Sequence, residues 1–171
     1  MLFVQRLSRA IDTFHAKLCD FVSLLTIVMT ALTFLIVVLR YGFDLGWVAM
    51  QESVIYLHAA IFMLGAAFTL KTDGHVRVDV FYRKMSVRRK AWVNLFGGIF
   101  LLLPVCIFIF MMSWDYVMRS WQMQEASQAA GGLPALYLLK SFILLFAVTL
   151  VLQGISEIAK SACLLVQKEQ S

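Results

Sequence analysis

Charged side chains are scarce: Asp, Glu, Lys and Arg make up 15% of the 171 residues, while 61% are hydrophobic. Soluble domains carry about 25% charged residues, and a water-soluble core of this length could not hide so much apolar surface. The bilayer is therefore the expected solvent, in keeping with a mean hydropathy of +0.83. Cysteine is rarer still. Cys19, Cys106 and Cys163 lie too far apart for a disulfide framework or a CxxC redox or zinc motif, and read as small buried apolar residues. Of the three histidines only His58 falls well inside an apolar run, and His15 and His75 map to edges. A cytochrome-like redox subunit, the alternative reading, would use His58 as a haem ligand and needs a second histidine at similar depth. No Ser/His/Asp set, Cys/His set or pair of carboxylates converges inside the apolar runs. No enzymatic activity and no bound cofactor or metal are expected.

What the sequence has in abundance is long apolar runs. A transmembrane helix needs about 20 mainly apolar residues to cross about 30 Å, and four stretches qualify: Phe21 to Leu39, Ser53 to Leu70, Trp92 to Met112 and Ala135 to Ile158. The third contains Gly97, Gly98 and Pro104, and the fourth contains Lys140, Gln153 and Glu157. The prediction is a single all-α membrane domain with four transmembrane helices. The first apolar run starts late and lacks a small-x-small cleavage site, so it reads as a span rather than a secretory signal. In residues 1–20, Leu7, Ile11, Phe14 and Leu18 recur at helical spacing while Arg6, Arg9, Thr13, Lys17 and Asp20 gather on another face. That pattern predicts an amphipathic helix lying in the membrane interface ahead of the first span.

Basic residues in short loops resist translocation and set orientation. With the N-terminus cytoplasmic, Arg6, Arg9, Lys17, the seven basic residues of the 71–91 loop, Lys160 and Lys168 face the cytoplasm, twelve against Arg40, Arg119 and Lys140 outside. Both termini are expected inside, with 71–91 as a basic cytoplasmic loop, 113–134 as a periplasmic loop and 159–171 as a cytoplasmic tail. The same placement excludes nucleic acid as a partner, because the basic residues interrupt two apolar runs instead of coating a water-facing fold.

Ionisable residues in a span are functional candidates unless they sit near an end. Lys140 lies about a turn and a half into the fourth span, where snorkelling to the interface is expected in preference to an internal ion pair. Glu52, preceded by Trp47 and Gln51, opens the second span on the outer side, where anchoring or pairing with Arg40 or Lys140 is expected. Glu157 and Lys160 form a local pair. In the outer loop, Trp114, Val117, Met118 and Trp121 continue a helical stripe at headgroup level, Arg119 supplies a cation, and Gly131-Gly132-Leu133-Pro134 breaks the chain before Pro134 restarts a helix. Gly65-Ala66-Ala67 and Gly97-Gly98 read as places where helix backbones approach closely. In the middle loop, Asp73-Gly74 ends the second span, Asp79 caps a short helix from Val80 to Met85, and Ser86 caps the next helix.

Four spans, Arg40-Tyr41 closing the first, Trp47 and Glu52 ahead of the second, "LKTDGHVRVDVFYRKMS" (Leu70 to Ser86) and "SWDYVMRSWQMQEASQAAGGLPALYLLKS" (Ser113 to Ser141) resemble the small membrane subunit, DctQ-type, of tripartite ATP-independent periplasmic (TRAP) transporters. The run Gly74, His75, Val76, Arg77, Val78, Asp79 carries most of the specificity. One departure is Gln51-Glu52, where many members carry two acids. The resemblance implies a non-catalytic scaffold subunit in a bacterial inner membrane. It would pack beside a large membrane subunit that holds the sodium and substrate sites, and help receive a periplasmic binding protein delivering an organic acid anion. Arg40, Trp47, Glu52, Gly74, His75, Arg77, Asp79, Trp114, Arg119, Trp121, Pro134 and Lys140 are the candidate interface or structural residues.

Overall fold

The computed structural model describes residues 2–75, 82 and 84–167. Arg77, Asp79 and most of the expected short helix lie outside the described residues. Among those described, every regular element is helical: α1 (Leu2–Gly42), α2 (Val48–Lys71), α3 (Val87–Gly97), a π-helical turn (Gly98–Leu102), α4 (Leu103–Gln122) and α5 (Leu136–Gln167). Four helical segments are long and apolar enough to cross a membrane, with α3, the π turn and α4 together making the third.

No glycine or proline precedes Gly42, so nothing breaks the first helix. Residues 1–20 therefore do not form a separate element, and α1 runs unbroken for 41 residues. At 1.5 Å per residue it extends about 60 Å, twice the thickness of the roughly 30 Å hydrocarbon layer. Ser23, Thr26, Thr30 and Thr33 donate their hydroxyls to the carbonyls four residues back, which satisfies them without a partner helix in a solvent that offers no water.

The end of α2 follows from Asp73-Gly74. Asp73 takes a positive φ of 56°, and the N–H groups of Gly74 and Asp73 return to the carbonyls of Thr69 at 2.8 Å and Leu70 at 3.2 Å, the paired bonds of a Schellman cap. Ser86 stands at the N-cap of α3 with extended backbone, but its hydroxyl makes no capping bond. Pro104, in the first turn of α4, removes an N–H from the ladder. Just ahead of it the helix widens, and Leu103 N–H bonds to the Gly98 carbonyl five residues back.

The last helix is the hub. α5 packs against α1, α2, α3, the π turn and α4, whereas among the described elements α1 meets only α2 and α5 to any extent. In the most apolar stretch of α5, 28% of residues are buried, against 6% in the first and third spans. Ala67 of α2, Cys106 of α4 and Leu150 of α5 form the central cluster. Close backbone approach is concentrated where α5 crosses the π turn. A Cβ on Gly98 would lie 2.6 Å from Ile158 Cγ1, and one on Gly154 would lie 2.8 Å from Leu102 Cδ2. Of the expected Gly97-Gly98 pair only Gly98 makes this contact, because a Cβ on Gly97 meets nothing within 4 Å.

Candidate functional site

Polar side chains gather at the two ends of the bundle. The cluster at the end expected to face outward starts with the end of α4, where Gln124 adopts a positive φ of 46°. Glu125 N–H then returns to the Ser120 carbonyl at 3.0 Å and Gln124 N–H to that of Trp121 at 3.2 Å. This second Schellman turn swings Glu125 back over its own helix. Its carboxylate accepts Ser120 Oγ at 2.6 Å and Lys140 Nζ at 2.5 Å, and its carbonyl accepts Leu136 N–H at 2.9 Å. One residue thus ties the end of α4 to the start of α5 through both backbone and side chain.

Lys140 is therefore ion-paired rather than snorkelling. Its side chain is only 13% exposed, and its ammonium also lies 4.0 Å from the centre of the Tyr116 ring. The Lys140 ammonium, followed by the Ser120 hydroxyl, holds the Glu125 carboxyl below the ordinary glutamate range. Trp121 closes the same corner by donating Nε1–H to Ser141 Oγ at 2.8 Å and meeting the Tyr137 ring edge-on at 4.7 Å.

The rest of the loop folds onto Glu52. One carboxylate oxygen accepts the Ser127 hydroxyl and the other accepts Leu133 N–H at 2.6 Å. Within the loop, Ser127 N–H bonds to the Leu133 carbonyl at 3.0 Å, and Ser127 Oγ accepts Ala129 N–H at 3.1 Å. Gly131 supplies a φ of +77°, and a Cβ on Gly132 would sit 2.6 Å from Ser127 Cβ and 2.8 Å from Glu52 Oε1. Glu52 thus pairs with neither Arg40 nor Lys140, as the sequence suggests, but clasps a loop about 80 residues away along the chain. Arg40, Trp47 and Trp114 are exposed, Arg119 lines a shallow cavity beside Lys140 and Glu125, and Pro134 lies in a bend two residues ahead of α5 rather than in its first turn. His75 is exposed just past the cap formed by Gly74.

The cluster at the opposite end joins α1 to α5. Asp12 accepts Lys160 Nζ at 2.8 Å, Gln153 Nε2 at 3.0 Å and Ser156 Oγ at 3.1 Å. Ser8 and Ser156 share a hydroxyl bond of 2.6 Å, Lys71 donates to the Asp12 carbonyl at 2.8 Å, and Glu157 pairs with Lys160 at 2.7 Å as expected. His15 is fully enclosed beside them, and neither ring nitrogen has a hydrogen-bond partner among the described residues. The helix face meeting the bundle therefore carries Ser8, Asp12 and His15, while Leu7 and Phe14 stay about half exposed. Sequence reasoning missed this face. Its signal is a pair of matching stripes, Ser8, Asp12, His15 on one helix and Gln153, Ser156, Lys160 on the other, each at helical spacing.

Among the described residues no three His, Cys, Asp or Glu side chains gather as a metal site would require. The arrangement is that of a multi-pass helical membrane protein whose polar groups fasten its own elements together. The family of tripartite ATP-independent periplasmic transporters, DctQ component, matches residues 29–164, and the chain belongs to that family. It is the small membrane component of a TRAP transporter, a tripartite assembly that supplies partner subunits. Comparison with curated proteins and with solved structures returned no match.

Proposed function

We propose that this chain is the static scaffold of a sodium-coupled TRAP transporter importing an organic acid anion. It packs against the large membrane subunit, which holds sodium and substrate, and its outer loop helps to dock the periplasmic binding protein. Both termini face the cytoplasm of a bacterial inner-membrane assembly. The observation carrying this reading is the contrast between fastened ends and unpartnered flanks. Phe34 and Ile27 on α1, and Phe108 and Met111 on α4, are about two-thirds exposed, while Glu52, Glu125 and Lys140 at one end and Asp12, Glu157 and Lys160 at the other are committed to internal bonds. A rigid frame with open apolar flanks suits a subunit that is held against another membrane protein. The positive-inside count supports the orientation.

Co-expression with the large subunit should yield a stoichiometric complex, and proteoliposomes lacking this chain should lose binding-protein-dependent uptake. Full uptake without it would overturn the assignment. An alkaline phosphatase fusion after Arg83 should be inactive, and high activity there would reverse the orientation.

A further inference from the structure

Gly97 leaves an observation that neither the helix contacts nor the scaffold role accounts for. Its side faces open space, and that space belongs to a groove of about 620 Å³ running beside α5. The volume falls in the roughly 300–1,000 Å³ range of ligand sites. From Val93 to Leu102 the lining follows α3 and the π turn for about 13 Å at 1.5 Å per residue. Apart from Asn94, whose Oδ1 accepts the Tyr82 hydroxyl at 3.2 Å, this inner part is apolar, with the backbone of Gly97 and Gly154 on either side. The mouth is polar and lies at the basic segment, where Lys71, Asp73 and Tyr82 line it.

The charge at the mouth has a definite sign. Lys71 donates one bond, to the Asp12 carbonyl, and an ammonium has three donors. Lys90 places its ammonium 5.1 Å from the centre of the Tyr82 ring. Lys84, Arg88 and Arg89 follow in the same segment, outside the lining. Against these stand two acids in the lining, Asp73 and Glu157, of which Glu157 is bonded to Lys160. An occupant that fits must be apolar along its length and negative at the end nearest the membrane surface.

We propose that the groove holds an acyl chain of an anionic phospholipid whose phosphate meets Lys71 and Lys90. The lipid fills the space left by Gly97 and joins the end of α2 to α3 and α5. This goes beyond the transporter role and requires only that the basic segment lie at a membrane surface, on either side.

Native mass spectrometry of the full chain, purified with its large partner and supplied with phosphatidylglycerol or phosphatidylcholine of identical acyl chains, tests it. The wild type should retain phosphatidylglycerol in preference to phosphatidylcholine. Gly97→Leu adds a side chain where a Cβ meets nothing within 4 Å, fills the groove, and should retain neither. Lys71→Gln with Lys90→Gln leaves the groove open and should lose the preference, roughly fivefold for each cation removed, while still holding phosphatidylcholine. The proposal is overturned if Gly97→Leu retains as much phosphatidylglycerol as the wild type. It is equally overturned if that variant sheds the partner with lipid retention intact, which would assign the groove to a partner helix. Should Gly97→Leu fail to fold, an unchanged lipid preference in the double lysine variant suffices to reject it.

Discussion

Asp12→Ala should release the beginning of α1 from the bundle, and the three partners of this carboxylate set the magnitude. Hydrogen bonds to a charged group contribute about 1.5–3 kcal/mol each, and Gln153 and Ser156 each make one. Ser156 divides its single proton between Asp12 and Ser8, and the Asp12 side chain is 20% exposed, so both bonds fall at or below the lower end. The Lys160 pair, with a lysine 36% exposed, adds only about 0.2–1 kcal/mol. Alanine recovers about 0.5 kcal/mol of helix propensity. The net loss is about 2–3.5 kcal/mol, enough to raise amide exchange over residues 6–18 roughly 30- to 300-fold. Asp12→Asn keeps an oxygen for Gln153 and Ser156 and surrenders chiefly the ion pair, so exchange should rise only about fivefold. Hydrogen–deuterium exchange of the purified protein separates the two. Equal exchange in the alanine and asparagine variants would refute hydrogen bonding to α5 as the clamp, and wild-type exchange in both would refute the clamp itself.

The outer lock gives a second set of outcomes. Glu52→Gln replaces one acceptor oxygen by an NH₂ group that cannot receive Leu133 N–H or the Ser127 hydroxyl, and should open the 126–133 segment to limited proteolysis; resistance equal to wild type would show that the loop holds without it. Gly132→Ala should do the same with Glu52 intact, since its Cβ would meet Ser127 Cβ at 2.6 Å. Because Glu125 titrates below the ordinary range, its contribution is present above the usual glutamate pKa of about 4.3 and lost only as pH falls through the lower folded value. Exchange protection at Glu125 and Leu136 should therefore hold from pH 8 down to mildly acidic solution and fade at lower pH; loss near pH 6 would implicate another group. Gly98→Val, driven into Ile158 Cγ1, should cost about 1–3 kcal/mol, read as a lowered Tm in detergent, and an unchanged Tm would mean that α5 yields freely at this crossing.

Length and hydropathy carry most of the fold here because a bilayer accepts few alternatives to helices, and the Asp73-Gly74 cap is legible in two letters. The polar contacts are less so, for a physical reason. A side chain's partner in a helix bundle is set by depth and rotation, not by distance along the chain. Lys140 meets Glu125 because a Schellman turn at Gln124, a residue with no strong preference for positive φ, reverses the carboxylate over Ser120. His15 follows the same logic at the inner end. Its neighbours in sequence suggest a surface position, and only the polar stripe on α5 makes burial of that face tolerable.

The placement of these polar groups bears on how a scaffold of this size stays rigid. Apolar contact between helices gains little in a solvent as apolar as the side chains themselves, so α1 and α4, each with few buried residues, need fastening from elsewhere. Fastening charges at mid-bilayer would carry a desolvation cost that the pair barely recovers. At the ends of α5 that cost is smaller, and the two clusters lie about twenty residues apart, at Lys140 and Lys160, or about 30 Å along the helix. That separation matches the hydrocarbon thickness. One helix thus carries a charged fastener at each membrane surface, with the outer loop held by one and the start of α1 by the other. The apolar middle of the molecule remains available for a neighbour in the membrane.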